Sequence, residues 1–323
     1  MKALFCTKYG SVDHLEFREI PIPEPLNDEV RIRINASSIN SWDWDLVRGK
    51  PFYVKLVFPG GLKKPKAILG CDISGVVEKA GPSVKHLGIG DEVFGDLSNS
   101  GWGGFSEYVC APESIFAIKP KKLSFEEAAS LPQAGVLALQ GLRDSGLLSK
   151  GEHVVINGGG GGVGALGLQM AKNLGGKVSI VDHGQKREKV MQLNPDEFID
   201  YTTEDYLKKG RTYDLILDVV GNRSYTEYKN ALKSGGRYVM VGGSASLMLE
   251  LILRKPFTKT KSLWILPHEV NNKDLKLMSE WVENDLLKPV IDKVYPLDQA
   301  AQALQYLGNA KAVGKVVLRH NKP

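Results

Sequence analysis

His153-Val154-Val155-Ile156-Asn157, followed at once by Gly158-Gly159-Gly160-Gly161-Gly162-Val163-Gly164, decides how this 323-residue chain folds. Of the first five residues the middle three are apolar and two of them β-branched valines, the pattern of a short buried strand. Residues 165–174 are small and apolar with Gln169 and Lys172 among them, which reads as a helix. Gly159, Gly161 and Gly164 satisfy G-x-G-x-x-G between that strand and that helix, the setting in which the spacing has a physical meaning. Glycines let the backbone turn tightly and approach a pyrophosphate. The helix N-terminus then offers the anion free N–H groups and the positive end of a dipole. A dinucleotide held by Gly158, Gly159, Gly160, Gly161, Gly162 and Val163 is the reading.

Downstream, strands read at 177–182, 197–201, 213–219 and 236–241, with helices at 162–174 and 186–193. Strands alternating with helices mean right-handed βαβ units around a parallel sheet. Upstream the period changes. Glu29-Val30-Arg31-Ile32-Arg33-Ile34 alternates charged and apolar residues, as a half-buried strand does. Segments 73–78 and 91–95 are further short strands, and Pro21, Pro23 and Pro25 mark an extended connection. No long helical pattern precedes residue 124 or so. There Ser124-Phe125-Glu126-Glu127 has the capping-box pattern and opens an apolar helical stretch to about Leu148. The last strand is Val316-Val317-Leu318. The expected fold class is α/β: a doubly wound parallel sheet at 124–265 and a β-rich domain at 1–123, to which 266–323 returns.

Composition narrows the class. The chain is 42% apolar and 24% charged, which excludes a disordered chain, a coiled coil and a fibre. No run of 18 apolar residues offers a membrane-spanning helix. Residues 1–6 lead into a strand pattern without a signal-peptide core. Three scattered cysteines argue against a disulfide framework, so a reducing compartment, the cytoplasm, is expected. A net charge of +5 favours phosphates. No basic stripe with interleaved aromatics points to nucleic acid.

The strand beginning at Lys177 ends at Asp182, 23 residues after Gly159. An acid there accepts hydrogen bonds from a ribose diol and repels a 2′-phosphate, which points to NAD. Lys186 and Arg187 follow closely, and lysine can hold a phosphate as a point charge. A third reading makes Asp182 the cap of the next helix. From these residues alone NAD and NADP stand about even.

The run Gly70-Cys71-Asp72-Ile73-Ser74-Gly75-Val76-Val77, then Gly81, Val84 and Gly90-Asp91-Glu92-Val93-Phe94-Gly95, resembles medium-chain dehydrogenases/reductases. Residues 154–172, with Asn157, the glycines, Gln169 and Lys172, resemble the quinone oxidoreductase (zeta-crystallin) branch, as does Asn40-Ser41-Trp42-Asp43-Trp44. Asp218-Val219-Val220-Gly221-Asn222 and Tyr238-Val239-Met240-Val241-Gly242-Gly243 fit too. The similarity extends over nearly the whole chain, in particular to chloroplast envelope quinone oxidoreductase-like proteins and reticulon-interacting mitochondrial reductases. It implies a GroES-like catalytic domain and a Rossmann domain with the cofactor in the cleft. It puts the nicotinamide near Asn40, Val241 and Gly242, with Val219, Val220 and Gly243 also on the cofactor. It puts the pyrophosphate on Gly161 to Val163, Lys186 at a 2′-phosphate and Tyr201 at the adenosine end. Asp182 departs from the family's pattern there. The resemblance tilts the choice to NADP(H), and Asp182 leaves NAD(H) open.

Zinc-dependent relatives carry a Cys, His–Glu and Cys set, matched here by Asn40, Cys71-Asp72 and about Ala134, and the structural zinc lobe is missing. No metal is expected. Without a Lewis acid on an oxygen, the resemblance implies hydride transfer to the C=C bond of an enone or enal, or to a quinone. The developing enolate then needs hydrogen bonds and a proton. Asn40, Asp43 and Asp45 are the catalytic candidates. Asp43 matches the family segment and is read mainly as ordering its loop. Asp45 stands where relatives often carry Tyr or Lys, so either it is a solvated loop residue or the proton donor differs. Trp42, Trp44 and Phe52 suit either a substrate wall or the core.

Two apolar stretches, 51–58 and 247–253, precede Lys63, Lys64 and Lys66, and Arg254, Lys255 and Lys259. They suit a greasy entrance with a peripheral membrane contact, or plain packing, or a dimer contact. A homodimer is expected, with Leu263-Trp264-Ile265 as a candidate edge. Two other functions stay open: an alcohol/aldehyde dehydrogenase of the same fold, and a low-turnover NAD(P)H-binding regulatory or structural protein.

Overall fold

A computed structural model describes residues 1–52, 54–57, 67–254 and 263–320. The chain divides into two compact units. One is Met1–Gln133 with Val270–Asp285 and Pro289–Pro323; the other is Ala134–Glu269 with Leu286–Lys288.

The second unit is built on a six-stranded sheet, all parallel, in the order Glu197–Asp200, Lys177–Asp182, His153–Asn157, Tyr213–Asp218, Leu232–Met240, Leu263–Ile265. Numbered along the chain this is 3-2-1-4-5-6, the doubly wound order. Its reversal falls beside His153–Asn157, so the glycine loop leaves the sheet at the switch point. Val154, Val155 and Ile156 are fully buried, as a parallel strand covered on both faces requires. The expected strands stand, with Leu232–Met240 starting earlier than its apolar part suggests.

The first unit carries a seven-stranded sheet. Its path runs Ile291–Pro296, Lys315–Arg319, Glu29–Ile39, Asp72–Ala80, Glu92–Asp96, Phe116–Ile118, and Tyr108–Pro112 pairs with Glu29–Ile39. Val30, Ile32 and Ile34 are buried and the arginines between them are not, the alternation read from sequence. Lys2–Cys6, Leu15–Glu19 and Ala67–Ile68 form a smaller sheet.

Four expectations need correction. Residues 124–148 are not one helix: Phe125–Ala129 is followed by Pro132–Gln140 and a π-helical turn, Gly141–Ser145. Proline suits the first position of a helix and breaks one already under way. Phe125–Ala129 also belongs with the first unit, where the Phe125 carbonyl accepts from Ser74 Oγ at 2.5 Å. The units divide after Gln133 and Glu269, whereas the expected boundaries were 123 and 265. The Asn40–Asp45 segment is no loop: Asn40 is the N-cap of a helix, Ser41–Arg48. The expected helix 186–193 is a 3₁₀ turn, Gly184–Lys186, leading into a shorter helix, Arg187–Met191. The Ser124 capping box is present, Oγ accepting from Glu127 N at 3.2 Å.

Candidate functional site

The glycine loop owes its shape to close approaches. A Cβ on Gly159 would lie 2.4 Å from Ile180, and one on Gly164 would lie 2.3 Å from the Gly159 Cα. No side chain fits either place. Gly161 caps the twelve-residue helix Gly162–Asn173, whose first-turn N–H groups have no partner within the helix. Loop and helix end together form a backbone cradle for an anion, so these residues fit a dinucleotide pyrophosphate.

Asp182 closes the neighbouring strand at 7% exposure. Its Oδ2 accepts from Gly160 N at 2.8 Å, its Oδ1 accepts from His183 N at 2.8 Å, and Lys186 Nζ lies 3.2 Å from Oδ1. It does not cap the following turn. That is done by His183, whose Nδ1 accepts from Gln185 N at 3.1 Å. Tyr201 is exposed and meets the His183 ring edge-on, centroids 5.8 Å apart.

Beside the loop, Asp218 organises the ends of two strands. Its Oδ1 accepts from Asn157 Nδ2 at 2.9 Å, Val220 N at 3.0 Å and Gly221 N at 2.8 Å; Oδ2 accepts from the Tyr238 hydroxyl at 2.9 Å. Asn157 also donates to the Tyr206 hydroxyl at 3.0 Å. Burial pushes both tyrosine hydroxyls well up, so they stay protonated. Val219 N donates to the Asn157 carbonyl, and Val241 N to the Asp218 carbonyl. Gly221 has φ +53°, and a Cβ there would lie 2.6 Å from the Gly242 carbonyl. Residues 219–221 and 241–243 therefore run side by side next to the glycine loop.

In the first unit Asn40 and Asp43 belong to a buried polar cluster centred on Asp72. Asp72 Oδ2 accepts from Ser38 Oγ, Asn40 Nδ2 and Lys315 Nζ, each at 3.0 Å, and Oδ1 accepts from Gln133 N at 2.9 Å. Lys315 Nζ also donates to Asn40 Oδ1. Burial raises the Asp72 carboxyl, and the Lys315 ammonium pulls it back. Asp43 is fully buried; its carboxylate accepts from Asn40 N at 2.8 Å and Gly70 N at 2.9 Å. Burial pushes it up to about 7 against those two bonds. Its two bonds both go to the backbone, one at the start of its own helix and one at Gly70. Asp45 is a half-buried helix residue paired with Arg48 at 2.6 Å, not a solvated loop residue; burial raises its carboxyl.

Asn40, Cys71 and Asp72 do not fit a zinc ion. Amides are not zinc ligands, burial pushes the Cys71 thiol well up and keeps it protonated, and the Asp72 carboxylate already holds an ammonium. Trp42 stacks on Trp102, centroids 6.5 Å apart. The Trp44 ring lies under the Arg48 guanidinium, and Phe52 is exposed. Lys63, Lys64, Lys66, Lys255 and Lys259 lie outside the described residues.

Lys315 and the Asp218 network are what sequence reasoning missed. Each had a signal: a lysine heading the apolar run Val316-Val317-Leu318, and an acid closing the apolar strand Tyr213–Asp218.

The Alcohol dehydrogenase GroES-like domain family matches residues 26–121, and the Zinc-binding dehydrogenase family matches 193–318. The chain is 34% identical to 2-methylene-furan-3-one reductase of Solanum lycopersicum, covering 98% of this chain and 79% of that protein. It is 32% identical to the chloroplastic NADPH-dependent alkenal/one oxidoreductase of Arabidopsis thaliana, with the same coverage. The quinone oxidoreductase of Coxiella burnetii superimposes with a TM-score of 0.89 at 29% identity, over 99% of each chain.

Proposed function

The chain belongs to the medium-chain dehydrogenase/reductase family, and from that premise we propose that it is a zinc-independent reductase. It uses NADP(H) to reduce the C=C bond of an enone or enal, or a quinone. The observation that carries the reading is the glycine cradle at the sheet's switch point. Support for the acceptor class comes from the relatives' names, a 2-methylene-furan-3-one reductase and an alkenal/one oxidoreductase.

The bound cofactor supplies a hydride. The residues of this chain do the rest. Backbone N–H groups at 161–163 hold the pyrophosphate, and Lys186 meets the 2′-phosphate as a point charge. Asn40 has its Oδ1 on Lys315 and one Nδ2 hydrogen on Asp72. Its remaining N–H can only donate, which suits an oxygen gaining negative charge. Asp43 is engaged with backbone and Asp45 with Arg48, so water delivers the proton.

Cofactor oxidation against a panel of enones, enals and quinones, with and without a zinc chelator, tests this. Chelator-insensitive turnover of the panel is expected. Chelator-sensitive alcohol oxidation alone would instead support the alcohol dehydrogenase reading. Tight nucleotide binding without turnover would support the low-turnover one.

Two finer readings accompany the proposal. A homodimer is supported by Leu263–Ile265, an edge strand of its sheet; a monomer in sedimentation would overturn it. A peripheral membrane contact is supported by Leu249, Ile252 and Leu253, all exposed on the helix Ala245–Arg254. Failure to co-sediment with anionic liposomes at low salt would end that reading.

A further inference from the structure

We propose that Lys315 is a positioning residue for the reduction: its ammonium and the Asp72 carboxylate fix the Asn40 side-chain amide in the one orientation that keeps an N–H for the substrate oxygen. The inference rests on the reading that this chain reduces enones and quinones with Asn40 at the oxygen, and it concerns what aims that amide.

Three strands of the first unit bring the groups together. Glu29–Ile39 lies between two neighbours, with Ser38 opposite Asp72 on one side and Ile39 opposite Val316 on the other. Asn40 is the next residue, so it leaves the central strand with Asp72 on one flank and Lys315 on the other. Asp72 is anchored, because Ser38 Oγ at 3.0 Å and Gln133 N at 2.9 Å donate to it as well. Lys315 is anchored in turn, its backbone N–H on the Val290 carbonyl at 2.8 Å and its ammonium on Asp72 at 3.0 Å. With side chains 5% and 0% exposed, neither charge can turn to solvent instead.

The two flanks settle which way the amide faces. An ammonium only donates, and an ionised carboxylate only accepts. Asn40 Oδ1 therefore faces Lys315, and Nδ2 faces Asp72 at 3.0 Å. The reversed amide would set its NH₂ against the ammonium and its oxygen against the carboxylate, exchanging two charge-assisted bonds for two repulsions. In the observed orientation Asn40, 6% exposed, directs one Nδ2 hydrogen at Asp72, and no group among the described residues accepts the second. A buried donor left without an acceptor calls for one from a ligand. With Oδ1 tied to Lys315, the ligand oxygen meets the donor end only. Without the two charges the amide has no preferred face, and an oxygen turned to the substrate would repel the negative charge that the reaction develops.

The experiment is steady-state kinetics of the full chain on one enone and one quinone, with NADPH affinity followed by fluorescence titration. Lys315→Met combined with Asp72→Asn removes both charges and leaves no buried ion unpaired. It should lower kcat for the enone about tenfold or more while KM and NADPH affinity stay within about threefold, because the lost interaction forms only as charge reaches the oxygen. The quinone should lose less, since a hydroquinone anion is a weaker base than an enolate and gains less from a donor. Where Asn40 is already Ala, the same two changes should cost the enone less than about twofold further, there being no amide left to aim. A purely structural role would slow both substrates alike and would persist in the Asn40→Ala background. Either result overturns the proposal, as does an enone kcat that moves less than about twofold. Should the charge-free variant fail to fold, Asn40→Ala carries the test, because it leaves the Lys315–Asp72 pair intact. An enone-to-quinone kcat ratio about tenfold lower then supports the proposal, and an unchanged ratio overturns it by leaving Lys315 nothing to position. If the wild type turns over neither substrate, the reductase reading falls and the proposal with it, an outcome distinct from turnover whose ratio stays fixed in the variants.

Discussion

Lys315 at 4% exposure and Asp72 at 0% exposure form a buried ion pair at 3.0 Å, and a buried charge without its partner is costly. Lys315→Met should therefore cost about 3–5 kcal/mol, because it leaves a buried carboxylate without its counter-ion. Adding Asp72→Asn should recover part of that loss. Urea denaturation of the single and double variants measures both, and a single-variant loss below about 1 kcal/mol would contradict the assignment. His320 is the other buried group with a readable consequence. It is held by Ser37 Oγ at 2.9 Å, and burial pushes its imidazole down to about 3 from 6.5. The unfolded chain then binds a proton that the folded chain does not. Stability falls as pH drops from about 6.5 towards 3, by up to about 1.4 kcal/mol per pH unit, and is flat above that window. His320→Gln should flatten the acid limb of a stability–pH curve. A limb identical to wild type would exclude this histidine as its source.

Among the elements, the glycine loop was the most legible, because strand, turn and helix each carry their own pattern and all three agree. Its most sensitive position is Gly164. An added methyl meets the Gly159 Cα, which is backbone and cannot rotate away. Gly164→Ala should weaken nucleotide binding at least about tenfold in the same titration. Binding at wild-type strength would mean that helix and loop can separate freely. Ser41–Arg48 went unread as a helix because eight residues with two tryptophans and two aspartates give little periodicity. Its start was nonetheless written in Asn40 and Asp43, a cap and a third-position acid. The 124–148 stretch misleads in the opposite way: its composition is largely helical, and only Pro132 and the glycines at 141 and 146 mark where regular helix stops.

Across the whole molecule, legibility ends where partners lie far apart in sequence. Asn40 and Asp72 lie in segments that resemble the family's, yet nothing in their neighbourhoods announces a lysine 243 residues beyond Asp72. The same holds for Tyr238, which reaches back 20 residues to Asp218. Local period identifies strands; it does not say which side chains converge once they pair. The Asp72–Lys315 separation also has a meaning in time. At roughly 5–20 residues per second, a ribosome needs roughly 12–50 seconds to travel from one to the other. Throughout that interval the nascent first unit carries a carboxylate whose counter-ion does not yet exist, while the entire dinucleotide-binding sheet is being made. The first unit therefore matures last although it begins first, and the nucleotide half is ready to fold before its companion can close its own core.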